Sequence, residues 1–385
     1  MKTVGIICEY NPLHLGHEHQ MKTIRAQLGE DTAILCVMSG NFVQRGEPAV
    51  LDKYTRAKGA ILAGADLVLE LPTEKVLSSA EGFAAGAVEI LHKFGNVDYL
   101  AFGSESGNLS QLLLGADAVL SAEFSPLLKE KLSQGLSYAV ARQKTLETLT
   151  GIENFCRTPN DILALEYCLQ LKRQGTSIKP MAILREGDYH EKTLHPHHPS
   201  ATALRENMQN DTWLSYVPTN ARKLFASAPQ YCYEAGQKAM LARLRVMEEN
   251  EWTTVAHGSE GLWRKVMKNV REKATVEEII DASLSKRYPR TRLKRLLLCA
   301  YLGIGQADLS RPTDEVRILA FSERGKALLR GGKDRGEIHL LNAGEKPQRE
   351  ELFTLWRRYS DLFSLFAVDE TGLKPAKEQS ARYYI

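Results

Sequence analysis

The chain of 385 residues is long enough for two or three domains with substantial hydrophobic cores, which excludes a small stapled scaffold. Hydrophobic residues make up 43% and charged residues 25%, which excludes an intrinsically disordered chain. The net charge of +3 is too small for a uniformly polybasic protein, so any nucleic-acid surface must be a local patch.

Six cysteines are spread along the chain without the C-x-x-C spacing of zinc knuckles or thioredoxin-like motifs, so we expect reduced, buried thiols and no metal-ligating residues. The apolar run from Val4 to Cys8 is shorter than the core of a signal peptide, and no later run reaches the length of a membrane span. The sequence therefore predicts a cytoplasmic protein that does not contact a membrane.

Short apolar runs alternate with amphipathic stretches over the first hundred residues, which is the pattern of a doubly wound parallel sheet. The expected strands lie at 3–8, 33–38, 66–71, 97–103 and 178–184. The expected helices lie at 16–28, 52–64, 79–94, 109–120, 124–149 and 160–174, and a further one opens at Ser200. Beyond residue 217 the pattern is mainly helical and shows no strand alternation until the last hundred residues, where it is weak.

This order of elements predicts a Rossmann-like α/β domain with a parallel sheet over residues 1–215, with a helical insertion at about 109–174. Residues 216–385 are expected to form a mainly α-helical C-terminal region. Because open parallel sheets bind ligands beyond the carboxyl ends of their strands, the loops that follow the strands are the first candidates for a site.

The loop after the first strand, EYNPLHLGHEHQ, places His14 and His17 three residues apart around Gly16. Gly16 leaves room for a ligand at the N-terminus of the next helix, whose free backbone N–H groups attract phosphate. Both imidazoles can reach such an anion. Surface or supporting histidines would give the same short pattern, but the position directly after a parallel strand favours a ligand site.

This segment resembles the H-x-G-H signature of the nucleotidyltransferase superfamily, which includes the class I aminoacyl-tRNA synthetases. The second signature of that superfamily, Ser-x-Thr-x-x-Arg, binds the leaving pyrophosphate, and SATALR places Ser200, Thr202 and Arg205 in this pattern. An ordinary capped helix is the structural alternative for the second segment. The resemblance implies catalytic roles for His14, His17 and Arg205 in attack on the α-phosphate of ATP.

Longer segments resemble the bacterial tRNA(Met) cytidine acetate ligases, and they lie at 40–72, 101–105, 157–167, 183–190 and 285–298. The resemblance implies an enzyme that adenylates acetate with ATP and passes the acetyl group to the wobble cytidine of elongator tRNA(Met), giving N4-acetylcytidine. It covers about residues 1–300. The family commonly has Phe and Asn where this chain has Leu13 and Leu15, which affects only the expected packing of the loop.

By this resemblance, ATP with Mg²⁺ lies along the first loop and against several later residues. The implied ATP-binding residues are Ile7, Cys8, Glu9, Tyr10, Asn11, Pro12, Leu13, His14, Leu15, Gly16, His17, Glu18, His19, Gln20, Gly103, Asn160, Arg185, Ser200 and Thr202. Gly103 lets a base or ribose approach, Asn160 offers amide donors, and Arg185 presents a guanidinium to phosphate. Helix capping by Asn160 and pairing of Arg185 with Glu186 or Asp188 are the structural alternatives.

A basic window at 264–295 carries eleven Lys or Arg against four Asp or Glu, so its net charge is +7. This concentration predicts contact with the tRNA backbone, with Tyr288 stacked on a base, although a solvated helix face would show the same pattern. The predicted tRNA-binding residues are Lys286, Arg287, Arg290, Arg292, Lys294 and Arg295.

Two other functions fit part of the sequence: a small-molecule nucleotidyltransferase of cofactor synthesis, and a non-enzymatic RNA-binding protein. The basic window argues against the first, and the complete set of His14, Gly16, His17 and Arg205 argues against the second. We therefore expect ATP, acetate and elongator tRNA(Met) as partners, and neither DNA nor a membrane. The HPHHP segment at 195–199 lacks acidic or cysteine neighbours for a metal and is expected to form a flexible lid that faces phosphate.

Overall fold

The computed structural model describes residues 1–185, 200–208, 210–342 and 344–374, with the side chains of 333–335 left out. The lid predicted at 195–199, and the acidic residues at 186 and 188 that are alternative partners for Arg185, lie outside the described residues. Within the described chain, no helix is both long and apolar enough to cross a bilayer. The six cysteines are free, four of them buried and two half-buried.

The described residues form nine strands, eighteen α-helices and one short 3₁₀ helix at Asp211–Tyr216. The strands are β1 (Thr3–Cys8), β2 (Ala33–Ser39), β3 (Phe42–Val43), β4 (Glu47–Pro48), β5 (Leu67–Leu71), β6 (Tyr99–Ser104), β7 (Lys179–Leu184), β8 (Glu315–Phe321) and β9 (His339–Leu341). The helices are α1 (Leu15–Leu28), α2 (Lys53–Leu62), α3 (Thr73–Val76), α4 (Ala80–Phe94), α5 (Leu109–Leu120), α6 (Phe124–Ser133), α7 (Tyr138–Thr150), α8 (Pro159–Arg173), α9 (Ala201–Glu206), α10 (Thr219–Ala226), α11 (Gln237–Val246), α12 (Glu249–Thr254), α13 (Leu262–Glu272), α14 (Val276–Ser283), α15 (Arg290–Leu302), α16 (Gln306–Leu309), α17 (Glu323–Arg335) and α18 (Glu350–Ser364).

Seven strands form one sheet in the order β7-β6-β1-β2-β5-β8-β9. The five from β7 to β5 are parallel to their neighbours, whereas β8 runs antiparallel to β5 and parallel to β9. Every residue of β2 is buried, as expected for a parallel strand covered by helices on both faces. The predicted α/β fold with a parallel sheet is confirmed.

The two faces of the sheet pack against different helices because successive side chains of a strand point to opposite sides. Leu35 and Val37 of β2 lie in the core that includes α4 and α8. Ile34 and Cys36 lie in the core that includes α1 and α2. This arrangement brings the start of α1 and the start of α8 to the same edge of the sheet, at the carboxyl ends of the parallel strands.

The C-terminal region is mainly helical, as predicted, and has a third core in which α11 to α15 and α18 pack together. It also supplies β8 and β9, which the sequence pattern did not reveal. Glu315 and Arg317 interrupt the apolar run of β8, yet both side chains are buried. Glu315 accepts a hydrogen bond from the Gln348 backbone at 2.7 Å, and Arg317 donates to the Asn342 carbonyl at 3.4 Å. The domain boundary at 215/216 remains a prediction.

The helical insertion consists of α5 to α8, and the helix expected at 124–149 is in fact two helices, α6 and α7. Gly135 separates them with a φ of 80°, a left-handed conformation that ends a helix at low cost only at glycine. The break lets α7 begin at Tyr138, beside the carboxyl edge of the sheet.

Candidate active site

A cavity of about 860 Å³ lies at the carboxyl ends of β1, β6 and β7, which reach it through Cys8, Gly103 and Leu184. The start of α1 and the N-terminal halves of α7 and α8 also line it, as does Arg295 of α15. This is the edge at which parallel sheets bind ligands.

His14 and His17 cap the N-terminus of α1. His14 Nδ1 accepts a hydrogen bond from the Gly16 N–H at 3.1 Å, and His17 Nδ1 accepts one from the His14 N–H at 3.2 Å. The two rings stack with their centroids 3.8 Å apart. The spacing of three residues therefore fixes both imidazoles by hydrogen bonds to the local backbone, in the arrangement of a capping box.

The protonation of these two rings follows from their hydrogen bonds and their surroundings. Because each Nδ1 accepts an N–H, we assign the ring proton to Nε2 in both neutral residues. The pKa of His14 lies well below its ordinary value, because the ring is buried and lies near His17, Arg185 and Arg205. Burial and the charge of Arg185 lower the pKa of His17 to about 3. His14 Nε2 is buried and has no hydrogen-bond partner within the described residues. Both rings are thus neutral hydrogen-bond donors at neutral pH rather than cations.

The segment SATALR lies against the loop that follows β1. Ser200 Oγ accepts a hydrogen bond from the Ala203 N–H at 3.0 Å and so caps α9. Arg205 donates to the Asn11 carbonyl at 2.7 Å and to Thr202 Oγ1 at 3.0 Å. Arg205 lines the cavity, so the structure brings both predicted signatures to one site.

Gly103, Asn160 and Arg185 also line the cavity. A Cβ added to Gly103 would meet no atom within 4 Å, so this strand end leaves open space for a ligand. Asn160 does not cap α8 with its own side chain. Its Nδ2 instead donates to Glu105 Oε1 at 2.6 Å, and Glu105 Oε2 accepts from the Asp161 N–H at 3.0 Å. Arg185 is joined to β6 through its backbone N–H, which donates to the Ser104 carbonyl at 2.9 Å.

Most of the predicted ATP-binding residues line the cavity, and six do not. Those that line it are Ile7, Cys8, Glu9, Tyr10, Asn11, His14, Gly16, His17, His19, Gln20, Gly103, Asn160 and Arg185. The six that do not are Pro12, Leu13, Leu15, Glu18, Ser200 and Thr202. Leu13 is fully buried in the core, and Glu18 pairs with Lys22 at 3.0 Å on α1.

Sequence reasoning missed three residues that hold the site together. Glu105 caps α8, as described. Arg56 of α2 is fully buried and donates to the Ser39 carbonyl at 3.1 Å and to the Glu9 carbonyl, so it joins the ends of β1 and β2. The Gln44 N–H donates to Glu9 Oε1 at 2.7 Å. The sequence carried no signal for Arg56, because α2 also contains Lys53 and Lys58 and the arginine does not stand out among them.

Comparisons with known proteins identify the family of this chain. The HIGH nucleotidyl transferase family model matches residues 1–378. The tRNA(Met) cytidine acetate ligase of Clostridium perfringens is 34% identical and aligns over 94% of this chain and 95% of its own. That of Caldanaerobacter subterraneus is 36% identical over 89% and 88%. This chain belongs to the tRNA(Met) cytidine acetate ligase family. The resemblance stated from the sequence is therefore confirmed.

Two crystal structures of Thermotoga maritima TmcAL have the same fold. The apo form superposes with a TM-score of 0.90 at 26% identity and full coverage of both chains. The form bound with alpha-thio ATP superposes with a TM-score of 0.88 at 27% identity, over all of this chain and 99% of the other. A solved structure with the same fold thus holds an ATP analogue.

A second cavity of about 640 Å³ adjoins the first. The residues that line both cavities are Ser79, Glu81, Tyr138, Ala139 and Arg295. Of the predicted tRNA-binding residues, Lys286, Arg287 and Arg292 also line the second cavity. We call this second cavity the basic groove.

The six predicted tRNA-binding residues differ in how their charges are engaged. Lys286 and Arg287 are exposed, and Arg287 pairs with Glu260 at 2.7 Å. Three others contact carboxylates or a hydroxyl: Arg290 pairs with Glu277 and with Asp281 at 2.7 Å, Lys294 pairs with Glu47 at 2.5 Å, and Arg292 donates to Ser259 Oγ at 3.0 Å. Arg295 lines both cavities, and burial lowers its pKa to about 10.

Proposed function

We propose that this chain is an ATP-dependent ligase that forms acetyl-adenylate from acetate and ATP and transfers the acetyl group to the wobble cytidine of elongator tRNA(Met). The observation that carries the proposal is the pair of neutral imidazoles at the start of α1. Their Nδ1 atoms are fixed to backbone, which leaves both Nε2–H groups as donors beside Arg185 and Arg205. The names of the relatives agree with this activity.

In the first step, an acetate oxygen attacks the α-phosphorus of ATP, and the bond from that phosphorus to the bridging oxygen breaks as pyrophosphate leaves. The attacking group is already an anion at neutral pH, so no base is needed. Negative charge develops on the α-phosphate and on pyrophosphate. Fixed donors aimed at such charge are the main source of catalysis in this kind of reaction, and His14, His17 and Arg205 supply them.

In the second step, N4 of cytidine attacks the carbonyl carbon of acetyl-adenylate. The new C–N bond forms, the bond from that carbon to the AMP oxygen breaks, AMP leaves with that oxygen, and the proton that N4 loses passes to solvent. Holding both reactants in one cavity supplies much of the rate. A covalent enzyme intermediate is not required, and burial raises the pKa of the Cys8 thiol well above its ordinary value, which makes it a poor nucleophile.

Mg²⁺ fits this site when it is bound to ATP rather than held by the protein alone. Among the described residues there is no cluster of three or more His, Cys, Asp or Glu side chains arranged to hold a metal. Mg²⁺ is commonly bound through one or two carboxylates and the substrate phosphates, and Glu9 is a carboxylate that lines the cavity. Bound there, Mg²⁺ would neutralise part of the phosphate charge.

The proposed tRNA contact is the basic groove, in which Lys286, Arg287 and Arg292 supply charges for backbone phosphates. It adjoins the cavity of about 860 Å³, which we call the nucleotide cavity, so an anticodon loop held in the groove can present a base to acetyl-adenylate. We place this reaction on cytoplasmic tRNA and propose no role for DNA.

Isotope labelling tests the proposal. Incubation with ATP, Mg²⁺, tRNA(Met) and acetate labelled on its carboxyl oxygens should give N4-acetylcytidine and AMP with one labelled oxygen, because the attacking oxygen stays on phosphorus. Label in phosphate or in ADP would indicate an acyl phosphate formed at the γ-phosphate and would refute the adenylate mechanism. Nucleotide transfer without acetate dependence would favour a small-molecule nucleotidyltransferase instead.

A further inference from the structure

One part of the nucleotide cavity lies outside the two signatures, where α7 and α8 of the helical insertion face it. Arg142 of α7 pairs with Glu166 of α8, with Nη2 and Oε1 2.6 Å apart, and both residues line the cavity. The Glu166 side chain is only 4% exposed. Its second oxygen, Oε2, is buried and has no hydrogen-bond partner within the described residues. A buried, unpaired carboxylate oxygen is costly, so its presence beside a cavity calls for a ligand that donates to it.

The chemistry of the pair defines that ligand. Glu166 offers an acceptor, and Arg142 makes no further hydrogen bond within the described chain, so its remaining N–H groups are available as donors. An acceptor beside donors complements a ligand edge that has a donor beside an acceptor. Cytosine has this edge, with the N4 amine next to N3, whereas uracil reverses it with O4 next to N3–H. Apolar side chains such as Leu146 and Phe155 line the same region, as suits a base.

We infer that Arg142 and Glu166 recognise the Watson–Crick edge of the acceptor cytosine, with Glu166 Oε2 accepting from N4 and Arg142 donating to N3. The inference rests on the proposed function, since it assigns the specificity of the acetyl-transfer step. Glu166 then holds the amine that forms the new C–N bond.

Tyr138 connects this subsite to the proposed tRNA contact. It lies four residues before Arg142 on α7, hence on the same helix face, and it lines both the nucleotide cavity and the basic groove. Its side chain is 58% exposed, so its ring is accessible for stacking. A base turned out of the anticodon loop can pass from the groove over Tyr138 to the pair.

The test compares the affinities of full-length tRNA(Met) transcripts with wobble C and wobble U, measured without acetate or ATP. The wild-type chain should prefer C by roughly 5- to 150-fold, the range for one two-point contact to a base. In E166Q, the amide oxygen stays on Arg142 and the NH₂ group faces the base, where it donates to O4 of uracil. The preference should therefore shift toward U, a change that a merely structural pair would not produce.

The matched control is E147Q, in the same helical insertion. Glu147 accepts from Gln143 Nε2 at 3.1 Å and from the Asn154 N–H at 3.0 Å, and it does not line the cavity. This variant should keep the preference for C. If E166Q does not fold, R142K offers a second route, because it keeps the charge but loses the planar fork, and the preference should fall without reversing.

An unchanged preference for C in folded E166Q or R142K would overturn the inference. So would a raised KM for ATP in acetate-dependent pyrophosphate exchange without tRNA, which would place the pair at the adenine of ATP. Failure of the proposed function gives a different result, since the wild-type chain would then not acetylate tRNA(Met) at all.

Discussion

The start of α1 and the basic window are both short patterns in the sequence, but the structure uses them differently. At the start of α1, each histidine accepts a hydrogen bond from backbone within three residues, so His14 and His17 are held locally. In the basic window, Arg290 and Lys294 are engaged by Glu277 and Glu47. When the side chains of a motif bond to their own backbone, the spacing in the sequence predicts their geometry. A count of charged residues, in contrast, does not show which of those residues already form ion pairs.

The hairpin of β3 and β4 connects these two regions. The Gln44 N–H donates to Glu9 Oε1 at 2.7 Å, while the Gln44 carbonyl accepts from Arg295 Nη1 at 3.4 Å. One residue thus contacts both the loop after β1 and the helix that carries the basic window. The contrast between the two regions, and their connection, can be tested by substitutions on each side.

The largest effect is expected at the start of α1. His17→Ala removes a fixed donor and should lower acetate-dependent exchange of pyrophosphate into ATP by about 10²- to 10³-fold, the usual cost of one such donor. Lys22→Ala is the control on the same helix, because Lys22 is exposed and pairs with Glu18, away from the cavity. Normal exchange in folded His17→Ala would remove His17 from the reaction.

The next largest effect is expected at the hairpin of β3 and β4, which connects the two regions. Gly46 has a φ of 79°, and an added Cβ would lie 2.6 Å from the backbone nitrogen of Arg295. Gly46→Ala should therefore reduce the free energy of unfolding by about 1–3 kcal/mol, as overpacking does, measured by urea denaturation. Gly103→Ala is the matched control, since its Cβ would project into open space and should leave stability unchanged while raising the KM for ATP. Equal stability of the two variants would contradict a tight hairpin–helix contact.

The sequence predicted the parallel sheet and the start of α1 because these depend on local periodicity and spacing, whereas the pairing of both signatures was implied by the resemblance to the nucleotidyltransferase superfamily. It could not predict β8, since Glu315 and Arg317 become buried only by bonding the Gln348 and Asn342 backbone. The role of Arg56 was hidden for a similar reason, as it depends on two strand ends that meet only in the folded sheet.

A smaller effect is expected in the basic window, where it distinguishes an exposed residue without an ion pair from one that two carboxylates engage. Lys286→Ala should weaken tRNA binding and lower the slope of log K against log salt by about 0.7–0.9, because Lys286 is exposed and forms no ion pair among the described residues. Arg290→Ala should change the slope less, because Glu277 and Asp281 already engage that charge. A salt titration by filter binding measures both. Equal slopes for the two variants would mean that the ion pairs open when tRNA binds.

The smallest effect is expected on the pH dependence of stability, at the start of α1. Burial and Arg185 lower the pKa of His17 to about 3, below its value of about 6.5 in the unfolded chain. The unfolded state therefore binds the proton more readily, so the His17 contribution to stability is complete above about pH 6.5 and is lost as the pH falls toward 3. Between about pH 7.5 and about pH 6 the loss from this residue should be on the order of 1 kcal/mol.

His17→Gln isolates this contribution, because glutamine at the third helical position can still accept from the His14 N–H but does not titrate. Urea denaturation at the two pH values should show a smaller loss of stability in His17→Gln than in the wild-type chain. Lys22→Ala should follow the wild-type curve, since it leaves both histidines in place. If His17→Gln loses as much stability as the wild-type chain, then folding does not lower the pKa of His17, and near pH 6 its ring would meet phosphate as a cation rather than as a neutral donor.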